Sequence, residues 1–429
     1  MSRTTSRFQD KRESILDGAA RLFNEHGVKG GMLSDVARQV GLATNSLTYY
    51  YRRKEDLAAA CLLRSMDALG TAADEAAAAP TLDGRVRGFL QRYLGLLAEI
   101  AEGRHPELIV FSDVLTLGEP HHATVTAAYT QMFRRVRALL DAPDAPPQSP
   151  SARNARAHLL LSTTLWARTW LLRYEAIDYP RLADRIADLL LHGLCPPGHE
   201  PAPAAPAMEA LAAIDAGGDG AATRTAYLRA ATKLVNEQGY QGASVDRIAA
   251  ELRLTKGSFY HHHETKEDLI VACFERTFAV VRAAQAAALQ APGSGRDRLA
   301  MACRALLAFQ LSDQGPLLRI TAWTGLPDAI RSHTRRTMAR LGERFAALVL
   351  DGMADGSLRI VDPSVAAQMV NGMLNAAAEI ERWVRGLDAG NVFALYALPL
   401  FSGLQAPSPA MAGHALPSPA RSRRPARSP

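Results

Sequence analysis

The sequence predicts an all-α protein made of two similar helical units in tandem. Residues 22–61 align with residues 234–273 without a gap, at a constant offset of 212 positions. Within each copy, apolar residues recur three and four positions apart, which is typical of the buried face of a helix. Strand-like alternation of apolar and polar residues is not sustained anywhere in the sequence. A repeat this long indicates a duplicated domain of about 200 residues rather than a solenoid.

Composition excludes several classes of protein. Apolar residues make up 48% of the chain and charged residues 21%, so a largely disordered protein is excluded. The longest apolar stretch, 159–172, is interrupted by Arg168, whereas a membrane span needs about 20 nearly uninterrupted apolar residues. The first residues lack the apolar core of a signal peptide. We therefore expect no membrane segment. The four cysteines are scattered and form no CxxC, so we also expect no disulfide framework, and a cytoplasmic location, where thiols stay reduced.

The positive charge lies mainly at the two ends of the chain. The formal net charge is +6 and the pI is about 9.2. Arg3, Arg7, Lys11 and Arg12 outnumber Asp10 near the N-terminus, and the C-terminal tail carries four arginines and no acid. The pI alone is therefore weak evidence for a nucleic-acid partner of the folded body.

Each copy begins with an amphipathic helix. Its apolar positions, first in one copy and then in the other, are Ile15, Ala19, Leu22, Phe23, Tyr227, Ala231, Leu234 and Val235. Gly27 and Gly239 follow these positions and are predicted to end the helix, since glycine adopts the left-handed conformation of a C-terminal cap without strain.

A second short helix follows in each copy, over about 34–40 and 246–252. Ser244 can cap the helix of the second copy. Met32 stands at the equivalent place in the first copy, so we expect Ser34 to take over the cap. A three-residue turn then leads into a third helix, and two short helices joined by a tight turn form a helix-turn-helix.

The third helix and the residues after it match a known pattern. This segment reads LTKGSFYHHHETKEDL in the second copy and GLATNSLTYYYRRKEDL in the first. Both copies resemble the N-terminal DNA-binding domain of the TetR/AcrR family of transcriptional regulators, the second more closely than the first. Thr48 stands where the family usually has tyrosine, and Thr44-Asn45 replace a usual Lys-Gly. The resemblance implies two tandem units, each with a three-helix head and a helical domain for ligand binding and dimerisation.

These observations together predict six segments of the chain. They are a first head (1–57), a first helical domain (58–195), a linker (196–222), a second head (223–269), a second helical domain (270–404) and a disordered basic tail (405–429). A short helix over about 208–215 is expected inside the linker. The further helices are predicted over 82–101, 105–117, 120–141, 151–176, 180–194, 296–312, 316–325, 327–354, 363–385 and 390–404.

A recognition helix needs a buried face that holds it and a polar face that reads DNA. Leu47 and Tyr51 in the first copy, and Phe259 and His263 in the second, are predicted to face inward. Amide, hydroxyl and ammonium groups on the other face match the donor and acceptor pattern of the major groove. The predicted DNA-binding residues are Thr44, Asn45, Ser46, Thr48, Tyr49, Tyr50, Lys54, Ser244, Lys256, Gly257, Ser258, Tyr260, His261, His262 and Lys266.

Two of these residues, Lys54 and Lys266, start the fourth helix of each copy. A cation at a helix N-terminus is disfavoured by about 0.3–1 kcal/mol because of the helix dipole. A bound phosphate reverses that sign, since the helix amides and the ammonium group then both face an anion. The resemblance implies the same role, a contact with the DNA backbone, and the alternative is a solvated surface lysine.

The sequence gives no indication of a metal site, a cofactor or catalysis. His261, His262 and His263 are consecutive, so on a helix they point to different faces, whereas zinc sites on helices use spacings such as i and i+4. GxSxG, HExxH, P-loop and dinucleotide-binding patterns are missing. We therefore predict a protein that is not an enzyme and has neither metal nor cofactor.

The resemblance also implies a pocket for a small-molecule effector between the middle helices. The candidate lining residues are Tyr93, Phe111, His122, Tyr129, Trp166, Trp170, Phe309, Trp323, Asn371, Met373 and Asn375. For each of them taken singly, an ordinary core position is the stronger interpretation. A mostly apolar lining would suit a hydrophobic effector.

In this family the last two long helices of each unit form a four-helix dimer interface. The resemblance therefore favours a ligand-responsive transcriptional repressor, and we expect its two units to pair within one chain as a pseudo-dimer on an imperfectly symmetric DNA operator. The alternative is a homodimer of whole chains, in which a degenerate head acts in protein interaction. The first head is the candidate for that loss, because Thr48 and Thr44-Asn45 depart from the family pattern.

Overall fold

The structure is a computed structural model of the 429-residue chain. It describes residues 3–111, 117–202, 204, 208–212, 214–215, 221–253, 265–319, 326 and 328–407. Every regular element among these residues is helical, as the sequence predicts.

The first unit contains eight α-helices among its described residues. They are α1 (Arg3–Gly30), α2 (Leu33–Gln39), α3 (Thr44–Tyr50), α4 (Lys54–Ala77), α5 (Leu82–Ala101), α6 (His121–Ala138), α7 (Pro150–Trp170) and α8 (Tyr179–His192). Helix α1 kinks at Gly27, whose φ of 72° is left-handed, so the helix axis breaks where the sequence predicts a cap.

A short linker helix and the second unit follow the same plan. The helices are α9 (Glu209–Ala212), α10 (Ala221–Gly242), α11 (Val245–Glu251), α12 (Lys266–Gln290), α13 (Gly295–Gln310), α14 (Asp328–Ala354), α15 (Pro363–Ala376) and α16 (Leu398–Ser402). Helix α10 kinks at Gly239, with a φ of 69°, as α1 does at Gly27. The two heads thus share the same break near the end of their first helix.

The predicted caps of the second helix have different outcomes. The Ser244 hydroxyl accepts a hydrogen bond from the amide of Arg247 at 3.3 Å, which confirms this cap. The expectation for Ser34 is wrong, because α2 already begins at Leu33 and Met32 is the N-cap without a side-chain bond. A methionine cannot accept the amide proton that a serine oxygen accepts.

Two predicted helices are wrong, and for the same reason. Residues 105–110 have no helical conformation, and neither do 316–319, while 112–116 and 320–325 lie outside the described residues. The amide group of Asn24 accepts from the backbone of Val110 at 2.8 Å and donates to the carbonyl of Leu108 at 2.9 Å. The side chain of a distant helix therefore satisfies backbone groups that a local helix would have used.

The long C-terminal helices end earlier than predicted. Helix α7 stops at Trp170 and α15 at Ala376, and both continue as 3₁₀ turns. The last predicted helix divides into a π-helical turn over Phe393–Ala397 and α16. Pro399 explains this division, because it lacks an amide proton and its ring interferes with the regular i to i−4 hydrogen bonding before it.

One continuous hydrophobic core joins the first unit to the C-terminal helices of the second. A smaller core lies between the second head and the adjoining parts of α12 and α14, and it includes Tyr227, Phe274 and Leu341. At the junction of the units, the indole of Trp166 on α7 donates to the side chain of Gln368 on α15 at 3.2 Å. The Arg156 guanidinium, only 1% exposed, donates to the carbonyls of Leu404 and Ala406 at 3.0 and 2.8 Å. The contact between the units is therefore as buried as the interior of either one.

The linker helix docks on the second unit. Leu211 on α9 is fully buried, and Asp215 forms a double ion pair with Arg276 on α12, at 2.9 and 2.5 Å. The expectation of a short helix between 208 and 215 is confirmed by α9. This part of the linker belongs to the packed structure, because Leu211 is buried in the core and Asp215 neutralises the buried Arg276.

Candidate DNA interface and ligand cavity

Helix α3, the predicted recognition helix of the first head, presents the polar face that the sequence predicts. Leu47 is fully buried and Tyr51 is 7% exposed, so both face inward. Thr44, Asn45 and Ser46 are exposed, and Tyr49 is 78% exposed. Thr48 is half-buried and donates its hydroxyl proton to the carbonyl of Asn45 at 2.9 Å. The α3 surface can therefore offer amide and hydroxyl groups to the edges of bases.

The first turns of α1 pack against α3 through the aromatic ring of Phe8. The ring of Phe8 stacks on that of Tyr50, with 4.9 Å between centroids, and meets Tyr49 edge-on at 6.4 Å. The Arg12 side chain donates to the Tyr51 hydroxyl at 3.1 Å. Burial raises the pKa of Tyr51, although the bond from Arg12 opposes this effect. The predicted DNA contact Tyr50 thus has one face covered by Phe8, a packing residue that the helical periodicity did not reveal.

Lys54 and Lys266 stand at equivalent places in the two heads. Lys54 donates to the carbonyl of Lys29 at 3.0 Å, and Lys266 donates to the carbonyl of Tyr240 at 2.6 Å. The ammonium group of Lys266 also lies 4.2 Å from the ring centre of Tyr240. Burial lowers the pKa of Lys266, while Glu267 opposes and Lys29 adds to the shift. An ammonium group has three donors, so each lysine can bind its own head and still offer protons to a phosphate.

The segment predicted to form the third helix of the second head lies outside the described residues. The predicted DNA contacts Lys256, Gly257, Ser258, Tyr260, His261 and His262 and the inward-facing residues Phe259 and His263 fall in this gap. Ser244 is described, and its hydroxyl is engaged in capping α11. The head around this gap is anchored by Thr265, which forms a capping box with Asp268 at the start of α12.

A cavity of about 1010 Å³ lies between the middle helices of the first unit and the C-terminal part of the second. Five of the predicted residues line it, and they are Tyr93, Phe111, Tyr129, Trp166 and Asn375. This volume is at the upper end of the range for small-molecule sites, about 300–1,000 Å³.

Of the other predicted ligand residues, those that the structure describes do not line this cavity. Phe309 is fully buried under the guanidinium of Arg276, whose carbon lies 5.4 Å from the ring centre. Met373 is fully buried, and Trp170 packs edge-on against Tyr174 at 5.9 Å. The remaining members of this group are His122 at the start of α6, Asn371 on the α14 side of α15, and Trp323, which lies outside the described residues. Helical spacing identifies a buried face, but it does not tell a cavity from a filled core.

One wall of the cavity is a chain of aromatic rings from both units. Phe111 meets Tyr129 edge-on at 5.8 Å, and Tyr129 lies 5.9 Å from Trp383. Trp383 also stacks on Phe133 at 3.9 Å. The carbonyl of Trp383 accepts from Asn154 on α7 at 2.8 Å, which fixes this tryptophan of the second unit against the first. Sequence reasoning missed Trp383, and its only signal is that tryptophan is rare in this chain.

Two half-buried ion pairs face the cavity. Glu107 pairs with Arg168 at 2.7 Å, and Glu379 pairs closely with Arg319. Burial tends to raise the pKa of Glu379, but Arg319, Arg382 and His158 outweigh it, and the net shift is downward. Glu379 is therefore an ionised carboxylate inside the protein.

Burial lowers the pKa of the neighbouring His158 to about 4, with Glu379 opposing and Arg319 assisting the shift. Its Nδ1 atom lies 3.2 Å from the hydroxyl of Tyr396. Since the unfolded chain binds the proton near pH 6.5 and the folded chain only near pH 4, the stabilising contribution is present above pH 6.5. It is lost as the pH falls towards 4.

We expect the His158→Gln variant to lose this part of the acid sensitivity. Between pH 7 and pH 4 the wild type should lose about 3 kcal/mol more unfolding free energy than the variant, in urea titrations. The exposed His192→Gln variant is the control and should follow the wild type. Parallel pH profiles of the wild type and His158→Gln would contradict the buried, neutral imidazole.

In each head, the side chain of an asparagine is hydrogen-bonded to the backbone of the segment beside the cavity. Asn24 holds Leu108 and Val110, and Asn236 donates to the carbonyl of Leu317 at 2.9 Å. The amide of Arg319 donates back to Asn236 at 2.8 Å. Asn24 and Asn236 are identical positions of the repeat, which was the signal available in the sequence. Arg319 thus joins the second head to the cavity wall through its backbone and its side chain.

Profiles of known families match three parts of the chain. The profile of bacterial regulatory proteins of the tetR family matches residues 15–61 and 228–273. A profile described as the C-terminal domain of tetracyclin repressor-like proteins matches residues 292–385. The two tetR matches overlap the two predicted heads, 1–57 and 223–269.

Curated relatives match parts of the chain. The TetC protein of transposon Tn10 from Escherichia coli is 36% identical over 61 residues, which are 14% of this chain and 31% of that protein. The HTH-type transcriptional repressor DhaR from Mycobacterium sp. (strain GP1) is 26% identical over 130 residues, 30% of this chain and 66% of that protein. The chain therefore spans less than two thirds of the length of each relative.

Solved structures of regulators also match part of the chain. PfmR, a TetR family transcriptional regulator from Thermus thermophilus, is 18% identical with a TM-score of 0.33, covering 41% of this chain and 92% of that one. AibR in complex with isovaleryl coenzyme A and operator DNA is 21% identical with a TM-score of 0.35, covering 42% and 98%. Among the described residues, no helix is both long enough and apolar enough to span a membrane.

Proposed function

The chain belongs to the TetR family of bacterial regulatory proteins, and on this basis we propose that it is a ligand-responsive transcriptional repressor that binds operator DNA. The observation that carries the proposal is the exposed polar face of α3 in a head that occurs twice in the chain. Leu47 and Tyr51 anchor α3, and Lys54 offers a phosphate contact beside it. A surface of this kind suits the major groove and the adjoining DNA backbone.

We further propose that the two units pair within one chain as a pseudo-dimer. The ends of their C-terminal helices exchange backbone hydrogen bonds reciprocally: Leu194 donates to the carbonyl of Leu400 at 3.0 Å, and Leu404 donates to that of Leu190 at 2.8 Å. In a two-fold dimer, if residue i of one subunit contacts j of the other, then j of the first also contacts i of the second. The contact between the units follows this rule with two non-identical halves, which supports internal pairing.

Effector binding would act on the heads through the segments beside the cavity. Asn24 and Asn236 tie these segments to the first helices of the two heads. A ligand that binds one arrangement of these segments better than another shifts the population of head positions, and only some positions fit successive major grooves. The measurement that tests the function is a mobility shift with the DNA upstream of the protein's own gene.

If the pseudo-dimer is the working unit, light scattering should give the mass of one chain, 46.3 kDa, with and without salt. One chain should bind one operator, and footprints of the two half-sites should differ, because the two recognition segments differ in sequence. The alternative, a homodimer with one non-binding head, predicts two other results. Light scattering would give the mass of two chains, and protection of the operator in footprints would be lost on alteration of one head but not of the other.

A further inference from the structure

The cavity between the units is closed by residues of both. The first unit supplies Tyr93, Leu97, Tyr129 and Leu161, which are buried or half-buried apolar and aromatic side chains. The second unit supplies Arg319, Asn375, Glu379, Arg382 and Trp383. The first unit thus contributes most of the apolar lining, while most of the charge near Trp383 comes from the second.

The charges of this wall do not balance. Arg319 and Arg382 both lie near a single carboxylate, Glu379, and both lower its pKa. His158, the other titratable group next to Glu379, is neutral at pH 7 because its pKa is about 4. Tyr129 keeps its proton, since burial raises its pKa. The cluster of Arg319, Glu379 and Arg382 therefore carries one net positive charge.

The opposite wall adds no uncompensated acid. Glu107 pairs with Arg168, and Arg21 pairs with Asp17 at 3.2 Å. Arg173 also lines the cavity and is exposed, and among the described residues neither it nor Arg382 forms an ion pair. Next to Arg173, the side chain of Leu172 is 83% exposed, so the mouth combines an apolar rim with cations.

We propose that this composite cavity binds an apolar organic anion, whose apolar body lies against the aromatic wall and whose anionic end is held by Arg382 at the mouth. A carboxylate or phosphate supplies the negative charge that the arginine cluster lacks. Arg382 is the specificity-determining residue, since its cation selects an anionic ligand. The apolar lining, which would accept neutral ligands as well, comes mainly from the first unit. The proposal rests on the proposed regulatory function and adds the chemical class of the effector.

The test uses the full chain and four probes with the same C12 tail: dodecanoate, dodecyl phosphate, dodecan-1-ol and dodecyltrimethylammonium, all below their micellar concentrations. Calorimetry without DNA measures their binding. The two anions are expected to bind at least about tenfold more tightly than the alcohol, and the ammonium compound should bind least. A preference between carboxylate and phosphate identifies which anion the site selects.

The matched variants are Arg382→Gln and Arg385→Gln, which remove the same charge three residues apart, and Arg385 does not line the cavity. Arg382→Gln should weaken anion binding about tenfold and leave the alcohol unchanged, Arg382→Lys should restore part of the loss, and Arg385→Gln should have little effect. Equal binding of alcohol and anions, equal losses in both variants, or no binding of either anion would overturn the proposal. Affinity for the upstream DNA without probe is measured in the same preparations, so a failure of the regulatory function would be seen separately.

Discussion

Replacing Gly193 with alanine is expected to lower the free energy of unfolding by about 3 kcal/mol. Gly193 ends α8 with a φ of 72°, a conformation that alanine adopts only with strain. A Cβ atom at this position would also lie 2.5 Å from the amide nitrogen of Gly403 and 2.6 Å from the carbonyl carbon of Phe401. Because both are backbone atoms of the second unit, they cannot move aside without opening the contact between the units.

Gly198→Ala is the matched control for this experiment. Gly198 has nearly the same φ, 76°, but a Cβ atom there would have nothing within 4 Å. The control should therefore show the conformational strain alone, about 1–2 kcal/mol in urea titrations. Equal losses in the two variants would mean that the close approach between the units is absent in solution, and the internal pseudo-dimer would lose its main support.

Removing Lys54 and Lys266 together is expected to have the largest effect on DNA binding. Each lysine that neutralises a phosphate releases a counterion, so near 0.1 M salt each alanine replacement should weaken binding about tenfold. The slope of log affinity against log salt should become shallower by about 0.9 for each lysine, for specific and unrelated DNA alike. Mobility shifts or fluorescence anisotropy at several salt concentrations measure both quantities.

The control for the lysines is Lys233→Ala. Lys233 is exposed on α10 of the second head and pairs with Glu251 at 3.1 Å, so its replacement removes an equal charge away from the proposed phosphate contact. Thermal melting checks that Lys266→Ala, which loses a bond to the Tyr240 carbonyl, remains folded. An unchanged salt slope in the double variant would show that these lysines do not touch the DNA backbone.

Local signals predicted the kinks in the first helices of both heads, the inward face of α3 and the linker helix correctly. Gly27 and Gly239 break their helices as expected, because a positive φ is a property of the residue and its neighbours. Leu47 and Tyr51 lie inward because the helical period fixes which side chains share a face. The helix predicted over 105–117 failed, since Asn24 satisfies Leu108 and Val110 from another part of the chain. A non-local hydrogen bond of this kind has no local pattern.

The sequence by itself determined the fold class, the duplication and the helix-turn-helix heads, since these depend on periodicity and on residues close together in the chain. Only the tertiary structure decided that Trp383 and Arg382 of the second unit close a cavity of the first. The same holds for Gly193 and Gly403, which meet although they belong to different units and lie far apart along the chain. Such contacts depend on how the two units pack, and packing depends on the shape and charge of whole surfaces rather than on the order of neighbouring residues.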